Sequence, residues 1–207
     1  MIQYEKWHQW AAELQGIAQA GLYYDPNIYD RERYERIRDI SAEILSVYTE
    51  LPLDTVKDMF CGDTGYLTPK LDTRAAVFQG ERILLVQEAS GKWALPGGWV
   101  ETDCSIWENT VKEVREEAGL DVIPRKLIAV LDRDKHNTRI FPRKIILHFV
   151  LCEATGGAFR PNSETVRADY FPLDGLPSPL ALEKTTEEEI RMCFEAARDD
   201  NWQTLFD

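Results

Sequence analysis

The chain is short of cysteine, of basic residues and of long apolar runs, and each shortage removes a class of protein. Cys61, Cys104, Cys152 and Cys193 are scattered without a C-x-x-C pair, so neither a disulfide framework nor a cysteine-rich zinc site organises the fold. Lys and Arg total 24 against 36 Asp and Glu, and the net charge of -12 repels a phosphate backbone, which argues against nucleic acid as a partner. An anionic nucleotide is also repelled at long range and needs locally placed cations, either side chains or bound metal, in order to dock. The opening MIQYEKWHQW carries charge and aromatic residues where a signal peptide or a membrane span would be apolar. A cytoplasmic, soluble protein with no membrane partner is the expectation. Internal repeats are absent too, and the Pro-bearing PLDGLPSPLAL reads as an ordered crossing.

What is present suits one globular domain with an appended module. Between Tyr4 and Gln19, Trp7, Trp10, Ala11, Leu14, Ile17 and Ala18 recur at three-and-four spacing, which predicts an amphipathic helix. Gly21 and Pro26 break that pattern. A second helix is expected from Asp30, a candidate N-cap, to Tyr48, with Tyr34, Ile37, Ile40, Ile44 and Leu45 on its apolar face. A short third helix ends near Phe60. These helices cannot enclose a core of useful size alone, so residues 1–63 read as an accessory module.

From residue 64 onward the pattern changes to that of a mixed α/β body. TRAAVFQ and RILLVQE, split by Gly80, read as a β-hairpin; VIPRKLIAVLD, KIILHFVLCEA and RADYFPL are further strands, and a last helix is expected from Leu182 to about Arg198. Between the hairpin and those strands lies GGWVETDCSIWENTVKEVREEAGL, Gly97 to Leu120. On a helix beginning near Ser105, Glu113, Glu116 and Glu117 fall at i, i+3 and i+4 and share one face. Like charges so placed either face open water or are neutralised by a hard cation with oxygen ligands. A Gly-Gly turn precedes this helix and Gly119 follows it as a left-handed cap, which frames a loop, a helix and a loop.

This segment resembles the box of the Nudix family, G-x5-E-x7-R-E-U-x-E-E-x-G-U with U apolar. Gly98, Glu113, Val114, Glu116, Glu117, Gly119 and Leu120 match, whereas Cys104 stands at the first Glu and Lys112 at the Arg. Cys is a poor ligand for magnesium, and Lys lacks the planar fork of Arg. The N-terminal WAAELQGIAQAGLYYDPNIYDRERYERIRDISAEIL is similar to the helical module of a subgroup that includes CDP-choline and ADP-ribose pyrophosphatases. In that subgroup the same two box positions commonly vary as they do here.

The resemblance implies an α/β/α sandwich with a mixed sheet behind a small all-helical module. It also implies Mg2+- or Mn2+-dependent cleavage of the diphosphate in a nucleoside diphosphate linked to a small-molecule group X. Its ligand set falls on Glu113 and Glu117, with Glu116 as ligand or water-orienting partner and the Gly97 carbonyl as a further ligand. Cys104 is then a bystander. Glu164 in PNSET is the nominee for general base, its alternative being a solvent-facing loop glutamate. Arg74, Lys112, Arg139 and Arg143 are candidate phosphate contacts, each with the alternative of an ordinary surface cation. Tyr23, Tyr24, Trp93 and Trp99 are candidate stacking residues, and His136 and His148 are assigned no role. A homodimer through the helical module is implied as well. The rival readings are a catalytically silent binding protein of the same fold and a nucleoside triphosphatase.

Overall fold

The computed structural model describes residues 3–24, 26–62, 65–137 and 144–207, with side chains from residue 6 onward. Arg139 and Arg143 lie outside the described residues. The chain forms two compact units, one carrying Met1–Pro69 and the other Lys70–Arg139 and Ile145–Asp207.

The first unit is three helices, α1 (Gln3–Tyr23), α2 (Ile28–Thr49) and α3 (Leu53–Cys61). Ala11, Ala42, Leu45, Val56 and Phe60 form its core, and the buried Gln15 donates to the Phe60 carbonyl at 3.1 Å. Two expectations need correcting here. Gly21 does not end α1, because it lies inside the helix where a Cβ would overlap the ring of Tyr34; the missing side chain lets α2 pack close. The N-cap of α2 is Asn27 and not Asp30, since the Asn27 Oδ1 accepts from the amides of Tyr29 and Asp30 at 3.0 and 3.1 Å. Trp10, Ile17, Tyr23, Ile28, Tyr29 and Val47 remain exposed on this unit.

The second unit is built on β1 (Lys70–Gln79), β2 (Arg82–Glu88), β3 (Trp93–Ala94), α4 (Ile106–Ala118), β4 (Leu120–Asp132), α5 (Arg133–His136), β5 (Ile145–Gly157), β6 (Thr165–Phe171), α6 (Glu187–Arg198) and β7 (Leu205–Phe206). Among the described residues the sheet runs β3-β2-β1-β5-β4-β7, and β6 also pairs with β2. The sheet is mixed: β1 lies parallel to β5 and β4 to β7, and the other pairs are antiparallel.

Alternation along β1 sends Ala75 and Val77 to one face, where they pack with Val114 and Ala118 of α4 and with Val150 and Cys152 of β5. Phe78 points the other way and meets Phe194 of α6 edge to face, ring centres 5.0 Å apart. Helices therefore cover both faces, and each fully buried Val or Phe contributes about 1.5–3 kcal/mol. The last helix starts later than its periodicity suggests. Thr186 caps it through a reciprocal pair with Glu189, and Leu182 to Thr185 form a turn whose carbonyls serve other partners. No helix among the described residues is long and apolar enough to cross a membrane.

Candidate active site

The acidic helix α4 begins and ends where its sequence requires. Ser105 accepts from the Glu108 amide while the Glu108 carboxylate accepts from Ser105, a closed capping box, and Gly119 ends the helix in the left-handed conformation. Buried Asn109 fastens the helix to its surroundings. Its Nδ2 donates to the Thr73 hydroxyl on β1 at 2.9 Å, and its Oδ1 accepts from the Glu101 amide at 3.2 Å.

The loop from Pro96 to Val100 lies along β1, to which three backbone bonds join it. Ala75 N donates to Pro96 O, Thr73 N to Gly98 O, and Val100 N to Leu71 O, at 2.8 to 2.9 Å. Gly97 has φ +148, and a Cβ there would fall 1.8 Å from the Thr73 carbonyl, so only glycine fits. With the loop so fixed, the Gly97 amide points at α4 and donates to Glu117 Oε2 at 2.8 Å. A Cβ on Gly98 would come within 2.9 Å of Glu113 Oε2, so its absence opens the place where the Glu113 carboxylate lies. Glu113 and Glu117 thus both reach the loop.

Glu116 does not join them. Its carboxylate accepts from Lys112 Nζ at 2.7 Å and its side chain is 55% exposed. The three carboxylates expected on one face therefore divide, because i and i+4 meet the loop while i+3 turns to the lysine beside it. Lys112 also lies 3.3 Å from Glu101 and 3.4 Å from Glu113, and its hydrogen bond to Glu116 raises its pKa, keeping it charged. Its charge is spent on the acidic residues themselves.

Burial shapes the titration of the two loop-facing acids. Desolvation pushes Glu117 up to about 7 against the opposing Gly97 hydrogen bond and the Arg74 charge, and it raises Glu113 as well. Two sheltered carboxylates brought to one glycine loop, with an all-oxygen donor set, fit a hard divalent cation such as Mg2+ or Mn2+. Among the described residues, the tightest trio of potential ligand atoms lies elsewhere. Glu101, Asp103 and Cys104 place theirs within 4.8 Å of one another, in the loop before α4. Glu101 and Asp103 are exposed, while desolvation and the acidic neighbours Asp103, Glu101 and Glu108 push the Cys104 thiol up, away from the thiolate a metal would need.

The remaining nominees fall in several places. Arg74 is not a surface cation reaching for phosphate. It is buried, with Nη2 on Asp72 Oδ2 at 2.8 Å and Nη1 on the Gly97 carbonyl at 2.8 Å. Glu164 is exposed in a loop tied to the end of α4, where Asn162 Nδ2 donates to the Glu116 carbonyl at 2.8 Å and Thr165 Oγ1 to that of Glu117 at 2.7 Å. Trp93 is buried against Phe171 and is no stacking platform, whereas Trp99 is exposed on the glycine loop. Tyr23 and Tyr24 belong to the first unit, edge to face with each other and exposed. His136 contacts Asp207, and His148 contacts the Asp72 carbonyl. A cleft of about 390 Å3, lined by Trp107, Glu108, Val111, Lys112, Arg115 and Glu116, follows the outer face of α4.

Asp72 and Asn109 were not among the nominees. For Asp72 a signal existed: a carboxylate and a guanidinium two apart on a strand share a face.

Comparison with known proteins agrees along the whole chain. Residues 5–60 match the family described as UDP-X-like, N-terminal oligomerisation domain, and residues 69–193 match the NUDIX domain. A Bacillus subtilis protein named "Putative ADP-ribose pyrophosphatase YjhB" is 41% identical over 203 residues, covering 98% of this chain and 97% of its own. A crystal structure of an ADP-ribose pyrophosphatase from Streptococcus suis is 54% identical, with a TM-score of 0.63, over 68% of this chain and 100% of its own. A crystal structure of a UDP-X diphosphatase covers 99% of this chain and 100% of its own at 28% identity and a TM-score of 0.63.

Proposed function

The chain belongs to the Nudix family and is a Nudix pyrophosphohydrolase, and from that premise we propose that it hydrolyses, with Mg2+ or Mn2+, the diphosphate of a nucleoside diphosphate linked to a second group. ADP-ribose and CDP-choline are the substrate types in view, and the products would be a nucleoside monophosphate and a phosphorylated X group. The observation that carries the reading is the joint approach of Glu113 and Glu117, two desolvated carboxylates, to the same Gly97–Gly98 backbone. Support for the substrate class comes from the relatives named above.

In this reading Glu113 and Glu117 would hold the ion, and Glu116, once released from Lys112, would hold it or orient the attacking water. The Gly97 carbonyl, which already accepts from Arg74, would be the further ligand. A divalent ion bound there would screen the diphosphate charge and acidify the water. Glu164, in the loop anchored to the end of α4, would serve as the general base. Lys112 offsets the charge of its acidic neighbours, so that a polyanionic substrate can approach a protein of net charge -12. Residues 1–63 serve for self-association into a homodimer and residues 64–207 for catalysis; the exposed aromatic and aliphatic side chains of the helical unit suit that division.

The test is release of phosphate, through added alkaline phosphatase from ADP-ribose, CDP-choline and other nucleotide sugars, and through added inorganic pyrophosphatase from nucleoside triphosphates, with and without Mg2+ or Mn2+. Metal-dependent turnover of a diphosphate-linked substrate is the expected result. Preference for triphosphates, or nucleotide binding without turnover, would overturn it.

A further inference from the structure

We infer that Asp72 and Arg74 are positioning residues for the metal-binding carboxylates, acting through the Gly97 loop. The inference rests on the function proposed above, but its chief readouts do not depend on turnover. Arg74 is 4% exposed and Asp72 5%, so the pair is an ion pair removed from water. Such a pair is costly to bury and is seldom a net gain in stability over apolar residues of like size. Its geometry gives it a second task.

Arg74 divides its fork between two targets. Nη2 is held by Asp72 Oδ2, while Nη1 donates to the Gly97 carbonyl at 2.8 Å and approaches that of Leu95 at 3.4 Å. The peptide following Gly97 is thereby fixed by Arg74, and the peptide before it by Ala75 N on Pro96 O. With both flanking peptides set, the Gly97 amide has one direction, toward Glu117 Oε2. The guanidinium remains charged despite the desolvation of its burial because Asp72, Glu117 and Glu189 surround it with negative charge. Among the described residues, Asp72 Oδ1 and Arg74 Nε have no hydrogen-bond partner, which leaves the pair incompletely bonded. Lys cannot replace the arginine here, since one ammonium does not span the carboxylate and the loop carbonyl in the plane of a fork.

The test uses the full chain in three forms: Arg74→Lys, Arg74→Met, and the double variant Asp72→Leu with Arg74→Met, which removes both buried charges. Thermal unfolding, affinity for Mn2+ alone by calorimetry, hydrogen exchange of the Gly97 amide in the metal-free protein, and kcat and KM on a diphosphate-linked nucleotide are recorded for each. Arg74→Met leaves Asp72 uncompensated and is expected to lose stability. The double variant recovers the wild-type melting temperature yet binds Mn2+ about 10–100-fold more weakly, as expected when an outer-shell partner is lost. Its Gly97 amide exchanges at least about tenfold faster. Arg74→Lys folds and shows the same losses in smaller measure, and in both variants kcat falls while KM stays within about threefold.

A double variant with wild-type Mn2+ affinity and wild-type Gly97 protection would overturn the inference, because the pair would then be structural only. If the double variant did not fold, an Arg74→Lys protein with unchanged Mn2+ affinity and Gly97 protection would overturn it equally. Should the wild type bind Mn2+ but cleave no diphosphate, the proposed function would fail while the exchange and affinity data still decide the role of the pair.

Discussion

Two acidic groups flank the start and the body of α4, and they differ in a way that simple proximity hides. Glu101, Asp103 and Cys104 bring their ligand atoms closer together than any other such trio among the described residues. Their two carboxylates are exposed, and that of Glu101 lies beside the Lys112 ammonium. Glu113 and Glu117 are desolvated, one against the space left by Gly98 and the other hydrogen-bonded to the Gly97 amide. The difference teaches that a cation site is made by preorganised, partly dehydrated oxygens. Closeness of acidic side chains in water is cheap and binds little.

The comparison is most easily broken at Glu117. Replacing it with Gln removes a charged ligand at constant volume, and turnover should fall on the order of a thousandfold or more, with Mn2+ affinity falling in parallel. Wild-type kinetics at saturating metal would mean that the buried pair is not the site. A smaller loss is expected at Glu164→Gln, where kcat should drop about a hundredfold or more with KM little changed, as for removal of a general base. An unaltered kcat would return Glu164 to the solvated loop.

A third contrast is thermodynamic. In EDTA, a Glu117 whose folded pKa stands near 7 above the ordinary 4.5 favours the folded state fully below pH 4.5, and this advantage is lost as pH rises through 7. The loss amounts to roughly 3 kcal/mol at most. Melting temperature in EDTA should therefore be higher at pH 5.5 than at pH 8, and Glu117→Gln should flatten the profile. Added Mn2+ should reverse the trend, because it binds the ionised carboxylates. A profile equally steep in wild type and variant would place the titration elsewhere. The smallest effect is expected at the exposed group, where Glu101→Gln with Asp103→Asn should change metal affinity and turnover by less than about threefold. A loss as large as that of Glu117→Gln would reverse the comparison itself.

Much of this was legible in the sequence because it is local. The hairpin around Gly80, the Ser105 start, the Gly119 stop and the spacing of Glu113 and Glu117 all depend on residues within a few positions of one another, and all appear as expected. The failures have a common cause as well. Asn27 and Asp30 are both competent caps one turn apart, and only the hydrogen bonds decide between them. Glu116 separates from its neighbours because Lys112 competes for it. Arg74 could be placed on a strand, but its burial depends on a loop more than twenty residues away. Sequence spacing fixes which side chains share a face, whereas the partner across the gap is supplied by tertiary packing.

The loop that aims Gly97 at Glu117 is stitched to β1 by the backbone atoms of Leu71, Thr73 and Ala75, with no loop side chain taking part in those bonds. For anyone redesigning the enzyme this uncouples two kinds of diversity. A saturation library at position 97 should return one amino acid, whereas at position 99, exposed on the same loop, the stitching itself makes no demand on the side chain. Substrate scope can then be searched at the rim of the site while the chemical centre stays constant.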